Sequence, residues 1–134
     1  SLKEVYALQG NGKVMVSGTM VNELKAVDPT TDENGNLVYT LEPGTYDVTC
    51  NEGCAIPADR TAMVRQRSSL LRNGSIIASS IFDPGFHTDN IGTVMIVTKT
   101  ITIEQNARIA QMYFHTNNPG EVYDGQFQND KQRK

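Results

Sequence analysis

The chain has 134 residues, 38% of them hydrophobic, with 12 Lys and Arg against 15 Asp and Glu and a net charge of -3. That length suits one domain and excludes two, and no apolar run approaches the ~20 residues of a membrane-spanning helix. The acidic balance argues against an extended nucleic-acid backbone as partner, because such a surface must be basic, while leaving room for a small anion held by a few local arginines.

Cys50 and Cys54 are too few for the disulfide framework of a small secreted domain, so a reducing, cytoplasmic home is expected. No charged n-region followed by an apolar stretch opens the chain, and Ser1-Leu2 is assigned no structural role. Gly10-Asn11-Gly12-Lys13 lacks the spacing of a phosphate loop and reads as a hairpin turn. Nowhere does a 3.6-residue apolar period persist long enough for a long helix. Short runs rich in Val, Ile, Thr and Tyr predict strands over 13–16, 37–41, 46–49, 62–64, 75–78, 91–97, 100–103 and 108–114. Between them lie reverse-turn sequences: 32–36 (DENGN), Glu42-Pro43-Gly44 and Asp83-Pro84-Gly85. Thr98-Lys99 is read as a hairpin tip. Many short strands with frequent turns predict an all-β sandwich or barrel. Neither a repeat nor a linker is evident, so residues 1–134 read as one domain, with 124–134 as a polar tail.

One helical turn is expected after Arg67, capped by Ser68 or Ser69 and ended by Asn73-Gly74. Arg67, Ser68, Ser69 and Arg72 then surround a helix start, an outline that suits a phosphate; a capped surface helix with solvated arginines is the plainer alternative. Asp83 heads a turn with Phe86 three residues on. A carboxylate there can orient a water and a ring can pack on a sugar, or the turn is only a turn and Phe86 belongs to the core. Arg108 and Gln111 supply donors on the last predicted strand. Two thiols and two histidines, His87 and His115, are a thin set for a four-ligand zinc site, so no metal site is assigned to the chain. Lys131 to Lys134 make a short basic end.

In order and spacing, RSSLLRNG at 67–74, IFDPGF at 81–86 and ARIAQMYF at 107–114 resemble the dUTPase and dCTP deaminase superfamily. Leu41-Glu42-Pro43-Gly44 and Ile56-Pro57-Ala58-Asp59 look like that family's approach to its phosphate motif. The resemblance spans about residues 37 to 127 and leaves 1–36 poorly matched. It implies a distorted jelly-roll or β-clip barrel that forms homotrimers with sites at subunit interfaces, and Mg²⁺ carried on the nucleotide. Arg67, Ser68, Ser69 and Arg72 would hold phosphates, Arg72 leaning toward the deaminase branch. Asp83 would contact the sugar 3′-hydroxyl and position water, Phe86 would lie beneath the deoxyribose, Arg108 belongs with the phosphate motifs, and Gln111 would reach a phosphate or the base side.

The sequence departs from that family at three places. The deaminase general acid/base Glu falls at Thr93 or Met95, neither of which shuttles a proton. The early Asp-Leu motif has no carboxylate counterpart in Ala7-Leu8-Gln9-Gly10, and Asp47 in the imitating Tyr46-Asp47-Val48 is read as a surface group. In place of a Gly-rich arm, residues 122–127 look like the deaminase branch's closing tail. The expected activity is hydrolysis of a pyrimidine deoxynucleoside triphosphate, dUTP to dUMP and pyrophosphate. A non-catalytic homologue binding a nucleotide or protein, and a deaminase with a displaced acid/base such as Glu104 or Asp89, are the alternatives.

Overall fold

The computed structural model describes residues 1–116. In chain order its elements are β1 (Leu2–Gln9), β2 (Lys13–Met15), β3 (Gly18–Met20), β4 (Glu23–Ala26), β5 (Thr30–Thr31), β6 (Leu37–Leu41), β7 (Gly44–Cys50), β8 (Cys54–Ala55), β9 (Arg60–Gln66), α1 (Ser68–Arg72), β10 (Ser75–Ala78), β11 (His87–Thr88), β12 (Gly92–Val97), β13 (Ile101–Glu104) and β14 (Ala110–Thr116). The expected strands at 37–41 and 75–78 fall on β6 and β10, and those at 46–49, 62–64, 91–97, 100–103 and 108–114 overlap β7, β9, β12, β13 and β14.

An antiparallel sheet in the order β10-β12-β7-β1-β4 is the largest unit. Its inward face follows the two-residue period of a strand: Thr93, Met95 and Val97 of β12 are buried, while Ile96 is exposed. Across the core stands β13-β6-β5, which contributes Tyr39, Leu41 and Ile103 against Leu2, Val5, Val48 and Met95 of the main sheet. Fully burying one such side chain stabilises by about 1.5–3 kcal/mol, so this interface is what fixes the two sheets. The β5–β6 turn is built by Asp32, whose Oδ1 accepts from the Asn34 and Asn36 N–H groups at 2.9 Å each.

Several expectations are corrected. Ser1-Leu2 leads into an inner strand of the main sheet: Leu2 is 0% exposed, its N–H donates to the Ala107 carbonyl (2.9 Å), and its carbonyl accepts from the Asn106 N–H (2.7 Å). A register shift between Leu2 and Glu4 breaks the alternation that would have marked this strand. Thr98-Lys99 is not a hairpin tip, because β12 and β13 lie in different sheets; the Thr98 N–H and hydroxyl both donate to the Gly74 carbonyl, at 3.0 and 2.6 Å. Gly10 to Lys13 does not join paired strands either. It opens the long connection of the β1–β4 hairpin, from which β2 and β3 project as a small flap. The strands remain separate ladders, β14-β9, β11-β8 and β2-β3 beside the two larger sheets, so the all-β class stands without a closed barrel. No described helix is long and apolar enough to cross a membrane. The expected tail at 124–134, the closing segment 122–127 and the basic end Lys131 to Lys134 lie outside the described residues.

Candidate active site

The RSSLLR segment forms α1, held by Leu70, which is buried in the core. Its cap differs from expectation. Arg67, extended at φ −72 and ψ 153, is the N-cap residue, and no side chain caps the helix, so neither serine hydroxyl is used for that purpose. The first helical bonds are from Leu70 and Leu71 N–H to the Arg67 carbonyl (3.0 and 3.2 Å), which leaves the N–H groups of Ser68 and Ser69 without an intrahelical acceptor. The helix stops where Gly74 takes a φ of +83. A Cβ there would lie 2.8 Å from Thr98 Oγ1, so this position requires glycine twice over.

The segment leading into β14 docks at the N-cap of that helix. The Arg67 N–H donates to the Ile109 carbonyl at 2.9 Å, and Arg67 Nη1 to the Arg108 carbonyl at 3.5 Å. Ser69, Glu104 and Arg108 line one small cavity of about 190 Å³. Arg67, Ser68, Ser69 and Arg108 are therefore brought together, with Arg72 in the last turn of α1. No carboxylate of the described residues lies within ion-pair range of Arg67, Arg72 or Arg108. Gln111 lies one strand step beyond Ala110, exposed and directly opposite Arg65 of β9. Arg65 was missed in the sequence, since only the β9–β14 register places it beside Gln111.

Asp83 and Phe86 sit elsewhere. Phe82 bridges Ala62 of β9 through two backbone bonds (3.1 and 2.8 Å), and the turn closes from the Phe86 N–H to the Asp83 carbonyl at 3.1 Å. The loop is pinned again at Ile56, whose carbonyl accepts from the Gly85 N–H (2.9 Å) and whose N–H donates to the Phe86 carbonyl (2.8 Å). Asp83 is exposed at the tip. Phe86 is 42% exposed and stacks on Phe82 with centroids 5.5 Å apart at 23°, so it forms an open wall rather than part of the core. From Ala62 to Arg67 runs five residues of β9, about 17 Å of strand. One chain thus carries two separated groups, a cationic one around Arg67 and Arg108 and a carboxylate-aromatic one at Asp83 and Phe86.

Where the deaminase Glu would stand there is no ionisable group. Met95 is 0% exposed, and Thr93 is 6% exposed with its hydroxyl lacking a partner. Among the described residues two carboxylates share a cavity with Arg108, Glu104 on the side of Ser69 and Glu52 on the side of the N-terminus, while Asp89 is exposed. His87 pairs with Ala55 in the two-residue β11–β8 ladder, and His115 lies near the exposed end of β14. Cys50 is buried and Cys54 half-buried; both are free thiols, and burial pushes the Cys50 thiol up. Among the described residues no three His, Cys, Asp or Glu side chains converge. Asp47, expected as a surface group, is half-buried and lines an open cleft beside the β2–β3 flap.

An all-β chain with these motifs in this order is of the dUTPase and dCTP deaminase class. Residues 10–117 match the dCTP deaminase-like family, and the chain belongs to it. A Halobacterium salinarum relative is 32% identical over 121 residues, covering 90% of this chain and 73% of the relative. One from Methanosarcina acetivorans is 30% identical over 135 residues (97% and 77%), and one from Archaeoglobus fulgidus is 30% identical over 127 (93% and 73%). All three carry the name probable deoxyuridine 5'-triphosphate nucleotidohydrolase.

Proposed function

We propose that the chain hydrolyses dUTP to dUMP and pyrophosphate, as a cytoplasmic homotrimer that takes its substrate with Mg²⁺ on the triphosphate. The observation that carries this reading is the docking of the Arg108–Ile109 segment, just before β14, on the N-cap residue of α1. It gathers Arg67, Ser68, Ser69 and Arg108 into one cationic, donor-rich surface, in a chain whose relatives are named probable dUTPases. The neutral Thr93 and Met95 further favour hydrolysis over deamination, because proton transfer at the base needs an ionisable partner there.

The donor set suits a metal-bearing triphosphate. Three guanidinium groups and two serines address phosphate oxygens, and Asp83 is the single carboxylate among the proposed contacts, so the metal's ligands come from the nucleotide. When bound, Mg²⁺ draws electron density from the phosphorus under attack. Arg67, Arg72 and Arg108, with the free N–H groups of Ser68 and Ser69, donate to oxygens that gain charge as the bond to the leaving pyrophosphate breaks. Gln111 donates at the edge of this group. Asp83 accepts a hydrogen bond from the attacking water and aligns it, and Phe86 covers the sugar where a 2′-hydroxyl would collide.

The two groups, taken as half-sites, lie about 17 Å apart along β9, so an assembled site takes Asp83 and Phe86 from one subunit and the phosphate half from its neighbour. A symmetric trimer meets that need three times. The test is pyrophosphate release from dUTP with Mg²⁺: wild type turns over and Asp83→Asn does not, whereas equal turnover by Asp83→Asn removes Asp83 from the mechanism.

A further inference from the structure

The outward face of the main sheet carries a feature that nucleotide hydrolysis does not use. The β2–β3 flap borders this face, and an open cleft of about 540 Å³ lies between them. Its walls are apolar: Leu8, Leu24 and Val94 from the sheet, and Val14, Met20 and Val21 from the flap and its flank. Into this surface comes one carboxylate, Asp47, at the middle of β7.

Among the described residues no hydrogen bond or ion pair reaches the Asp47 carboxylate. Its cross-strand neighbours on the same face are Tyr6 of β1 and Val94 of β12. The Tyr6 hydroxyl is committed to Glu4 Oε2 at 2.7 Å, and valine has nothing to give. The Asn22 amide at the cleft's margin donates to the Gly10 carbonyl at 3.3 Å. Lys13 lines the same cleft, yet no ion pair joins it to Asp47 among the described residues. Burial without compensation pushes the Asp47 carboxyl up, the state of a charge that lacks its partner. An anion such as the proposed triphosphate is a poor occupant, since no described arginine lines the cleft and the carboxylate repels it.

We infer that the cleft beside the flap is a second binding site, for a small organic cation with an ammonium group on an apolar body, and that Asp47 is its counter-ion. The ammonium donates to the Asp47 carboxylate, while the body displaces water from Leu8, Leu24, Val94 and the flap. A half-buried carboxylate discriminates strongly between an ammonium and a neutral isostere, because the neutral ligand leaves the charge unpaired. The volume accommodates a phenethylamine-sized molecule.

The test is titration of the full chain with phenethylamine, followed calorimetrically and by amide chemical shifts, with 2-phenylethanol and phenylacetate as controls. The expected result is saturable binding of one amine per chain, with shift changes at Leu8, Asp47 and the flap, and at least about tenfold weaker binding of both controls. Asp47→Asn should weaken the amine by a similar factor. Met20→Arg, at a position 58% exposed where folding tolerates change, sets a guanidinium in the cleft and should abolish the site. The inference is overturned by no saturable amine binding, by equal binding of 2-phenylethanol, or by unchanged affinity in Met20→Arg. It is overturned equally if hydrogen exchange shows the flap already protected by a second copy in the assembled protein without amine.

Discussion

The separation of the two half-sites makes a numerical prediction for mixed assemblies. Arg67→Ala removes a guanidinium from the proposed phosphate half, and Asp83→Asn removes the carboxylate proposed to orient the water. Each alone should lower turnover by about 10²–10³, the usual cost of one donor or orienting group at a site of developing charge. In a single chain about 17 Å of β9 lies between the two groups, so the proposed trimeric site draws its working pair from different subunits. When the two variants are unfolded together in urea and refolded at equal amounts, an intact site needs its Asp83 from an Arg67→Ala chain and its Arg67 from an Asp83→Asn chain. Random assembly makes that about one site in four, so the mixture should recover about a quarter of wild-type pyrophosphate release from two nearly inactive parents. The complementary mixture, wild type with the Arg67→Ala/Asp83→Asn double variant, should also give about a quarter, whereas a site contained in one chain gives about a half. A first mixture no more active than the sum of its parents, together with a half in the second, refutes the shared site.

Other consequences follow from packing and charge. Leu2→Ala should cost about 3–5 kcal/mol in urea unfolding, the range for a fully buried leucine; a loss below about 1 kcal/mol would mean that the start of β1 is not core. Thr93→Val replaces an unpartnered buried hydroxyl with a methyl of similar shape and should be neutral or raise stability by up to about 1 kcal/mol, so a marked loss would reveal a missing hydrogen-bond partner. Phe86→Ala should narrow the preference for deoxy- over ribonucleotides at nearly unchanged thermal midpoint, given its 42% exposure; an unchanged preference removes Phe86 from sugar recognition. The folded-state pKa of Asp47 is raised above its ordinary 3.8 by burial, so the folded protein holds that proton more tightly and loses stability as pH rises through this window. Asp47→Asn should therefore stabilise at pH 7 and lose that advantage near pH 3. An advantage independent of pH would assign the effect to something other than charge.

Much of the fold could be read locally. Tyr46-Asp47-Val48 and Ile91 to Val97 are β-branched and aromatic, and Asp32 with Gly35 is a turn by its own chemistry, so β7, β12 and the β5–β6 hairpin follow from neighbouring residues alone. The Arg67 to Asn73 turn was equally legible, apart from its cap. By contrast, β1 hid behind Lys3, Glu4 and Gln9 and a register shift, while β8 and β11 are two-residue pairings that no periodicity can announce. Thr98-Lys99 resembled a hairpin because two β runs flank it; which sheet each run joins is a long-range matter.

By itself the sequence determined the all-β class, the order of the family motifs and the candidate residues they carry, because residue chemistry and spacing along the chain need no partner. Only the tertiary structure decided that Arg67 and Ser69 meet Arg108, that Arg65 stands opposite Gln111, that the Asp83 turn is pinned five residues of β9 from Arg67, and that Asp47 lines an apolar cleft without a donor among the described residues. Those are outcomes of strand pairing between distant residues, where a shift of one position turns a side chain to the opposite face, so they follow from how the sheets close on a common core.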